Sequence, residues 1–210
     1  PSQRLRWLTG LYFYREEFTG SSGAGLAIDS PSPVAPNTVR NLALFGSLEY
    51  DFTDRLTMTA ELRYAEDEVE AGTVSGGGDS LVFGTVSETF DSLAPRVTLS
   101  YHVYEELMLY ANVAKGNKPG GINTSLQASN IPDRERVRLA GFNSFDEEEA
   151  WNYEIGVKGS ALEGRLRFDA AAFYIDWTQQ QLSTSELVER EGSVFSTVPL
   201  IVNAATTEVM

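Results

Sequence analysis

The sequence holds few groups that could do chemistry. His102 is its only histidine, and there is no cysteine. A hydrolytic triad, or a metal site of thiolates and imidazoles, has almost nothing to be built from. Carboxylates are plentiful and form two runs: Glu66, Asp67, Glu68 and Glu70, then Asp146 to Glu149. Paired carboxylates could serve glycosidic acid–base work, and oxygen ligands would suit calcium. Neither run has the spacing and glycine of a calcium loop, so both read as solvated loop faces. Gly76-Gly77-Gly78-Asp79 lacks the following helix that a phosphate cradle needs. Asn123-Thr124-Ser125 matches a glycosylation acceptor, a weak signal. The group most open to a binding role is Lys115, Asn117, Lys118 and Asn123, in and after a glycine-rich stretch. These residues could contact an anionic ligand from an outer loop; a solvated loop exit is the plainer reading. No catalytic, cofactor-binding or metal-ligating residue is expected, and no enzyme.

The bulk properties narrow the class. A formal charge of −14 argues against nucleic acid as a partner. An aromatic content of 11%, with nine tyrosines, is too rich for a disordered chain. No run approaches the length of a transmembrane helix. Pro1-Ser2-Gln3-Arg4-Leu5 has no signal-peptide pattern and enters a strand almost at once. The chain is therefore read as an internal piece of something longer.

The elements that must carry these residues are strands. Leu44, Gly46, Leu48, Tyr50 and Phe52 alternate with Phe45, Ser47, Glu49 and Asp51. Leu56, Met58, Ala60, Leu62 and Tyr64 alternate with Thr57, Thr59, Glu61 and Arg63. Period two over this length means strand, with one apolar and one wet face. The same pattern marks 5–14, 95–103, 107–115, 151–158 and 166–174, and an eighth, weaker strand is expected from about Leu200. Pro95 is expected at a strand start or a bulge.

The connections alternate in length. Thr53-Asp54-Arg55, Tyr104-Glu105-Glu106 and Leu162-Glu163-Gly164 are tight turns, whereas 15–40, 66–89, 116–149 and 180–199 are long and polar. Short turns on one rim and long loops on the other are the signature of an antiparallel, up-and-down transmembrane β-barrel. Eleven residues rise roughly 36 Å, and a tilt of about 40° makes that ~28 Å, near the apolar band of an outer-membrane barrel. Tyr50, Phe52 and Tyr101 fall near the short-turn rim; Phe13, Tyr64, Trp151, Tyr153 and Tyr174 fall near the other. Amphipathic rings favour both membrane–water interfaces. Glu49, Glu61, Arg63, Arg96, Glu154, Lys158, Arg167 and Asp169 share the opposite, inward face. Polarity alone leaves three architectures open: a section of a wide barrel, a complete eight-stranded barrel of structural or adhesive type, and a soluble β-sandwich binding module.

Several stretches resemble the barrel of TonB-dependent outer-membrane receptors. Tyr110-Ala111-Asn112-Val113-Ala114-Lys115-Gly116-Asn117-Lys118-Pro119-Gly120-Gly121-Ile122-Asn123 is similar to the family's strand-to-loop signature, and Ala94-Pro95-Arg96-Val97-Thr98-Leu99-Ser100-Tyr101 to the strand before it. Glu149 to Lys158, with Tyr153-Glu154, Gly156 and Lys158, resembles the next strand. Gly164-Arg165-Leu166 with Ala170 to Trp177, then Val202-Asn203-Ala204-Ala205, follow in the family's order. The resemblance implies that 1–210 is one partial barrel domain, about eight strands of a 22-stranded barrel in the bacterial outer membrane. It implies uptake of a scarce nutrient, most often a ferric siderophore, with energy delivered by TonB to a plug domain. The plug, the TonB box and the family's aromatic-ended terminal strand are not found in these 210 residues. Expected partners are outer-membrane lipid, the nutrient ligand and, through the plug, TonB.

Overall fold

The structure is a computed structural model that describes residues 4–18, 36–77, 80–127, 131–190, 194–204 and 206–209. Nearly all of it is antiparallel strand. Five long strands come first: β1 (Leu5–Phe18), β2 (Asn37–Asp51), β3 (Leu56–Gly77), β4 (Ser80–Tyr104) and β5 (Leu107–Lys118). A short excursion follows, with β6 (Gly121–Ile122), a 3-10 turn (Thr124–Gln127), helix α1 (Asp133–Arg138), a second 3-10 turn (Ala140–Phe142) and β7 (Ser144–Phe145). Then come β8 (Glu148–Ala161), β9 (Leu166–Thr178), the pair β10 (Gln181–Arg190) and β11 (Val194–Asn203), and β12 (Thr207–Val209).

One eight-stranded sheet runs β1-β2-β3-β4-β5-β8-β9-β12, each neighbour antiparallel. It is open, because β1 and β12 do not pair among the described residues. That disfavours a closed eight-stranded barrel. Among the described residues no second sheet lies over it as a sandwich partner; the two others there are the small pairs β6–β7 and β10–β11.

The register explains the two faces. Trp7, Leu48, Ala60, Val97, Val113, Tyr153 and Tyr174 form one continuous row of cross-strand partners. Adjacent partners share a face, and this face is uncovered: Trp7 is 71% exposed, Leu11 78% and Ile155 64%. A monomer in water does not leave so many large apolar side chains bare, whereas a barrel wall turns them to lipid. The opposite face carries a polar ladder. Arg6 donates to Glu49 at 2.6 Å and to Asp51 at 2.7 Å, and Thr98 donates to Asn112 at 3.0 Å. Tyr110 donates to Glu154 at 2.5 Å, with the Lys158 ammonium 5.4 Å from its ring centre. The polar residues assigned inward from sequence all lie on this face. The aromatic sorting also holds in part: Tyr50 packs edge-on to Phe52 at 4.9 Å near the turns, and Trp151, Tyr153 and Tyr174 form a contiguous run.

Glycines let the sheet close up where rings cross it. The Tyr110 ring lies where a Cβ on Gly156 would sit, and the Phe168 ring does the same over Gly159. In the Leu162–Arg165 turn, Glu163 and Gly164 have φ of 58° and 81° and Arg165 N–H bonds to Leu162 C=O. Two successive positive φ values match the strand twist. At the Thr53 turn the hydroxyl accepts from the Arg55 and Leu56 amides, fixing the bend from a side chain.

Four expectations need correction. The span 66–89 is not a loop: β3 and β4 stay paired from Glu66↔Asp91 up to Gly77↔Ser80. Beyond the apolar band both faces of a strand are wet, so alternation fades while pairing continues. Pro95 is not at a strand start; it sits inside β4 opposite Leu62. Pairing with β5 begins only at Arg96, so Pro95 lies where β4 presents a free edge on that side, the position a missing N–H tolerates. Leu200 does not open the eighth wall strand. It belongs to β11, and the wall continues at Thr207 opposite Trp177. The loops 116–149 and 180–199 are likewise more structured than expected, since β5 extends to Lys118 and β10–β11 is a regular hairpin. The Ser30-Pro31-Ser32-Pro33 break, Gly78-Asp79, Ala205 and the strand end at Met210 lie outside the described residues.

Candidate functional site

The described parts of 119–147 and 179–204 leave the sheet on the long-loop rim and fold together into a cap. Helix α1 starts after Pro132, with Asp133 and Glu135 in its first turn and Arg136 and Arg138 in its last, complementing the helix dipole. Arg138 bridges to Glu135 at 2.9 Å and donates to the Leu187 carbonyl at 2.9 Å, and Arg134 pairs with Glu189 at 3.0 Å. These bonds hold the helix on the edge of β10. Below it, Leu126, Ile131, Leu139, Val188, Val198 and Leu200 form a closed apolar core. The cap leans on the inner face of the wall, where Gly120 is held against the ring of Phe90.

The four sequence candidates are not brought to one place. Lys115 shares the outward face with Val113, is mostly covered, and pairs with Glu149 at 2.7 Å. Asn117 lies opposite Glu149 on the same face. Lys118, opposite Glu148, is on the inner side and exposed. Asn123 is buried and fully engaged: its Oδ1 accepts from the Ile201 amide at 2.8 Å, and its Nδ2 donates to the carbonyls of Ile201 and Phe142, each at 2.8 Å. It staples the two loops together. His102 stands opposite Met108 beside a bulge near the short-turn rim, far along the strand from the cap.

Sequence reasoning missed the acidic run 146–149 as a junction. Glu148 accepts from the Trp177 indole at 2.9 Å and from the Gln181 amide at 2.7 Å. Asp146 exchanges two bonds with the Asn203 side chain, at 2.7 and 2.9 Å, and Gln181 Nε2 donates to the Pro119 carbonyl at 2.8 Å. These bonds tie the feet of the cap to the rim. Glu147 stands out, because one of its carboxylate oxygens is buried with no hydrogen-bond partner among the described residues. Burial first, then the neighbouring Glu149 carboxylate, pushes its pKa up. A run of acids carries no spacing that announces such a clasp; Trp177 and Gln181 are distant in sequence. No cluster of three or more metal-ligating acids or histidines occurs among the described residues.

The wall, its rim and the cap are the setting for comparison with known proteins. Residues 3–207 match the family model for the TonB dependent receptor-like β-barrel. The metal-pseudopaline receptor CntO of Pseudomonas aeruginosa is 34% identical over 88 residues, 42% of this chain and 10% of that protein. The pesticin receptor of Yersinia pestis is 26% identical over 69% of this chain and 20% of its own length. The crystal structure of the ferric yersiniabactin uptake receptor FyuA from Yersinia pestis superposes with a TM-score of 0.65 at 21% identity, over 99% of this chain and 29% of that one. The siderophore receptor PiuA from Acinetobacter baumannii gives 0.62 at 14% identity, over 99% of this chain and 32% of that one. The present chain thus spans a tenth to a fifth of these curated relatives, and the structural likenesses show the fold. The relatives and fold neighbours are receptors and transporters, not enzymes. The chain belongs to the TonB-dependent receptors, as part of their β-barrel domain.

Proposed function

We propose that residues 1–210 are a section of the barrel wall and outer mouth of an outer-membrane receptor that imports a chelated metal, a ferric siderophore or a related metallophore complex. The observation that carries this is the change of face along one sheet. Apolar rows turn outward in the wall, and a folded cap with an inward core stands on the long-loop rim. Lipid beside the wall and water around the cap would suit that change of face. The related receptors named for metal-pseudopaline and ferric yersiniabactin favour a metal chelate over a sugar or cobalamin. A plug domain and a TonB contact would be supplied by the rest of the receptor. Of the four candidate contacts, Lys118 has the inner-side position and exposure to meet an anionic chelate at the mouth; Asn117 and Lys115 flank it on the outer side.

Whole-cell uptake tests the reading. Cells producing the complete receptor, in a strain stripped of its own siderophore receptors, should accumulate radioactive iron from a ferric siderophore panel in a TonB-dependent manner. Transport of cobalamin or an oligosaccharide without any metal chelate would overturn the cargo and leave the wall intact.

A further inference from the structure

The cations on the inner face of the wall differ in what answers them. Arg6 is matched by Glu49 and Asp51, and Arg96 stands 3.5 Å from Glu61. Arg63 makes no ion pair among the described residues. It donates instead to Asn41 Oδ1 at 3.1 Å, and its guanidinium carbon lies 5.4 Å from the centre of the Tyr12 ring. The register shows how it gets there. Phe45↔Arg63, Ala43↔Ala65 and Asn41↔Asp67 are successive rungs on the inner face. To reach Asn41, the Arg63 side chain crosses the rung of Ala43 and Ala65, and both alanines are buried. Tyr12, the β1 partner of Ala43, flanks that crossing. Methyl side chains leave room for it; anything larger at either position would lift the guanidinium away. The far end is fixed as well. Asn41 Nδ2 donates to Asp67 at 2.6 Å, which turns its Oδ1 to Arg63. The acids on the same face of β3 are engaged elsewhere, Asp67 by Asn41 and Glu61 by Arg96.

We infer that Arg63 determines the charge of the cargo: its guanidinium, held across the inner face and aimed toward the long-loop rim, takes an anionic oxygen of the chelate. A tyrosine ring and a neutral amide position the group without neutralising it. Its N–H donors form a planar fork that suits a carboxylate or a pair of anionic oxygens. Its place on the wall fits the role. Ala94 is its β4 partner, and Phe90, further up β4, is where the cap is seated through Gly120. At about 3.3 Å per residue, Arg63 starts roughly 13 Å beneath that seat. Lys118 would meet the chelate at the mouth and Arg63 would meet it further in. The inference rests on the metal-chelate reading above and adds to it that the chelate carries negative charge on exposed oxygen.

Equilibrium binding to the complete receptor in detergent, read by quenching of its intrinsic fluorescence, decides the matter. Ferric citrate and ferric enterobactin are the anionic probes, and ferrichrome is the uncharged one. The parent should bind at least one anionic chelate. Arg63→Gln should weaken that binding about tenfold to a hundredfold, the loss of a hydrogen bond between charged groups. Ferrichrome binding and the unfolding temperature of the unliganded receptor should not change. Should that variant fail to assemble, Arg63→Lys keeps the charge and loses the fork, and it should weaken the anionic chelate about threefold to tenfold. An equal loss on charged and uncharged chelates, or no loss on either, overturns the inference and leaves the metal-chelate cargo standing. A parent that binds ferrichrome alone does the same. Binding of none of the three removes the cargo reading, and this inference with it.

Discussion

The wall and the cap use apolar residues in opposite ways. In the wall, Trp7, Leu11 and Ile155 stand out from the sheet, and the inner face carries the polar ladder that includes Arg6, Glu49, Thr98 and Asn112. In the cap, Leu126, Leu139, Val188 and Leu200 are at most 2% exposed. Both follow one rule: apolar surface goes where water is absent. For the cap that place is its own interior. For the wall it is the lipid outside, and the cohesion comes from the strand ladder, since lipid tails are as apolar as leucine. The contrast marks where along the chain apolar side chains change from facing outward to being buried within the protein. That change falls about where Trp151 and Tyr153 stack, with centroids 6.4 Å apart, below the clasp at Glu148.

The comparison breaks most readily at its two extremes. Leu200→Ala removes a fully buried side chain from the small cap core and should cost that unit about 2–5 kcal/mol, seen as faster exchange in α1 and β10. Leu11→Ala, in the wall, should cost far less, since the apolar surroundings replace the lost contacts. Equal losses at both sites, measured by exchange and by unfolding in lipid vesicles, would mean that the outward face is covered by protein.

A charge sharpens the same contrast. Ile155 lies midway along β8 and is 64% exposed; Val137 in α1 is 78% exposed. By exposure alone they are alike. Ile155→Arg should destabilise the wall by about 2–4 kcal/mol in vesicles, because the guanidinium enters hydrocarbon. Val137→Arg should stay within about 0.5 kcal/mol, since its neighbour is water. A neutral Ile155→Arg would remove the lipid reading of that face.

The next effect lies on the polar face. Gly156→Val places side-chain atoms in the space of the Tyr110 ring, breaking both its bond to Glu154 and its contact with Lys158. A cost of about 1–3 kcal/mol is expected from such overpacking. The double variant Gly156→Val with Tyr110→Ala should recover part of it, as measured by urea midpoints in vesicles. No recovery would show that the ring is not what the glycine accommodates.

How legible all this was depended on which solvent each residue meets. Where lipid lies on one side and polar groups on the other, alternation is forced, and β1, β2, β5, β8 and β9 were readable from strand pattern alone. Above the membrane the constraint lifts. Glu66, Glu68 and Glu70 continue the outward row of Leu62 and Tyr64, so the strand persisted while its pattern vanished. The cap was illegible for a different reason. Its core needs Leu126 to meet Val188 and Leu200, and nothing local in either segment fixes that meeting. Asn123 was noticed as a polar loop residue, but a buried staple and a ligand contact have the same composition. Only its partners tell them apart.

The smallest expected effect sits at the seam between the two regions. Glu147 lies between β7 and β8, and burial holds its pKa above the ordinary carboxylate range. The folded junction therefore keeps its proton at a pH where the unfolded chain has lost it. Below the ordinary carboxylate pKa of about 4.3 both states are protonated and Glu147 costs nothing. As pH rises toward the raised folded value, the unfolded state ionises first and stability falls; above that value the loss is complete and constant. The neighbouring Lys115–Glu149 pair acts in the other direction, weakening when acid protonates Glu149. Glu147→Gln deletes the first effect and leaves the second. Exchange at the β8 start, corrected for intrinsic rates from pH 4 to 7, should then show a junction more stable at neutral pH that weakens only on acidification. If the variant keeps the parent's decline toward neutral pH, the titrating group is elsewhere and the seam is wetter than its geometry implies.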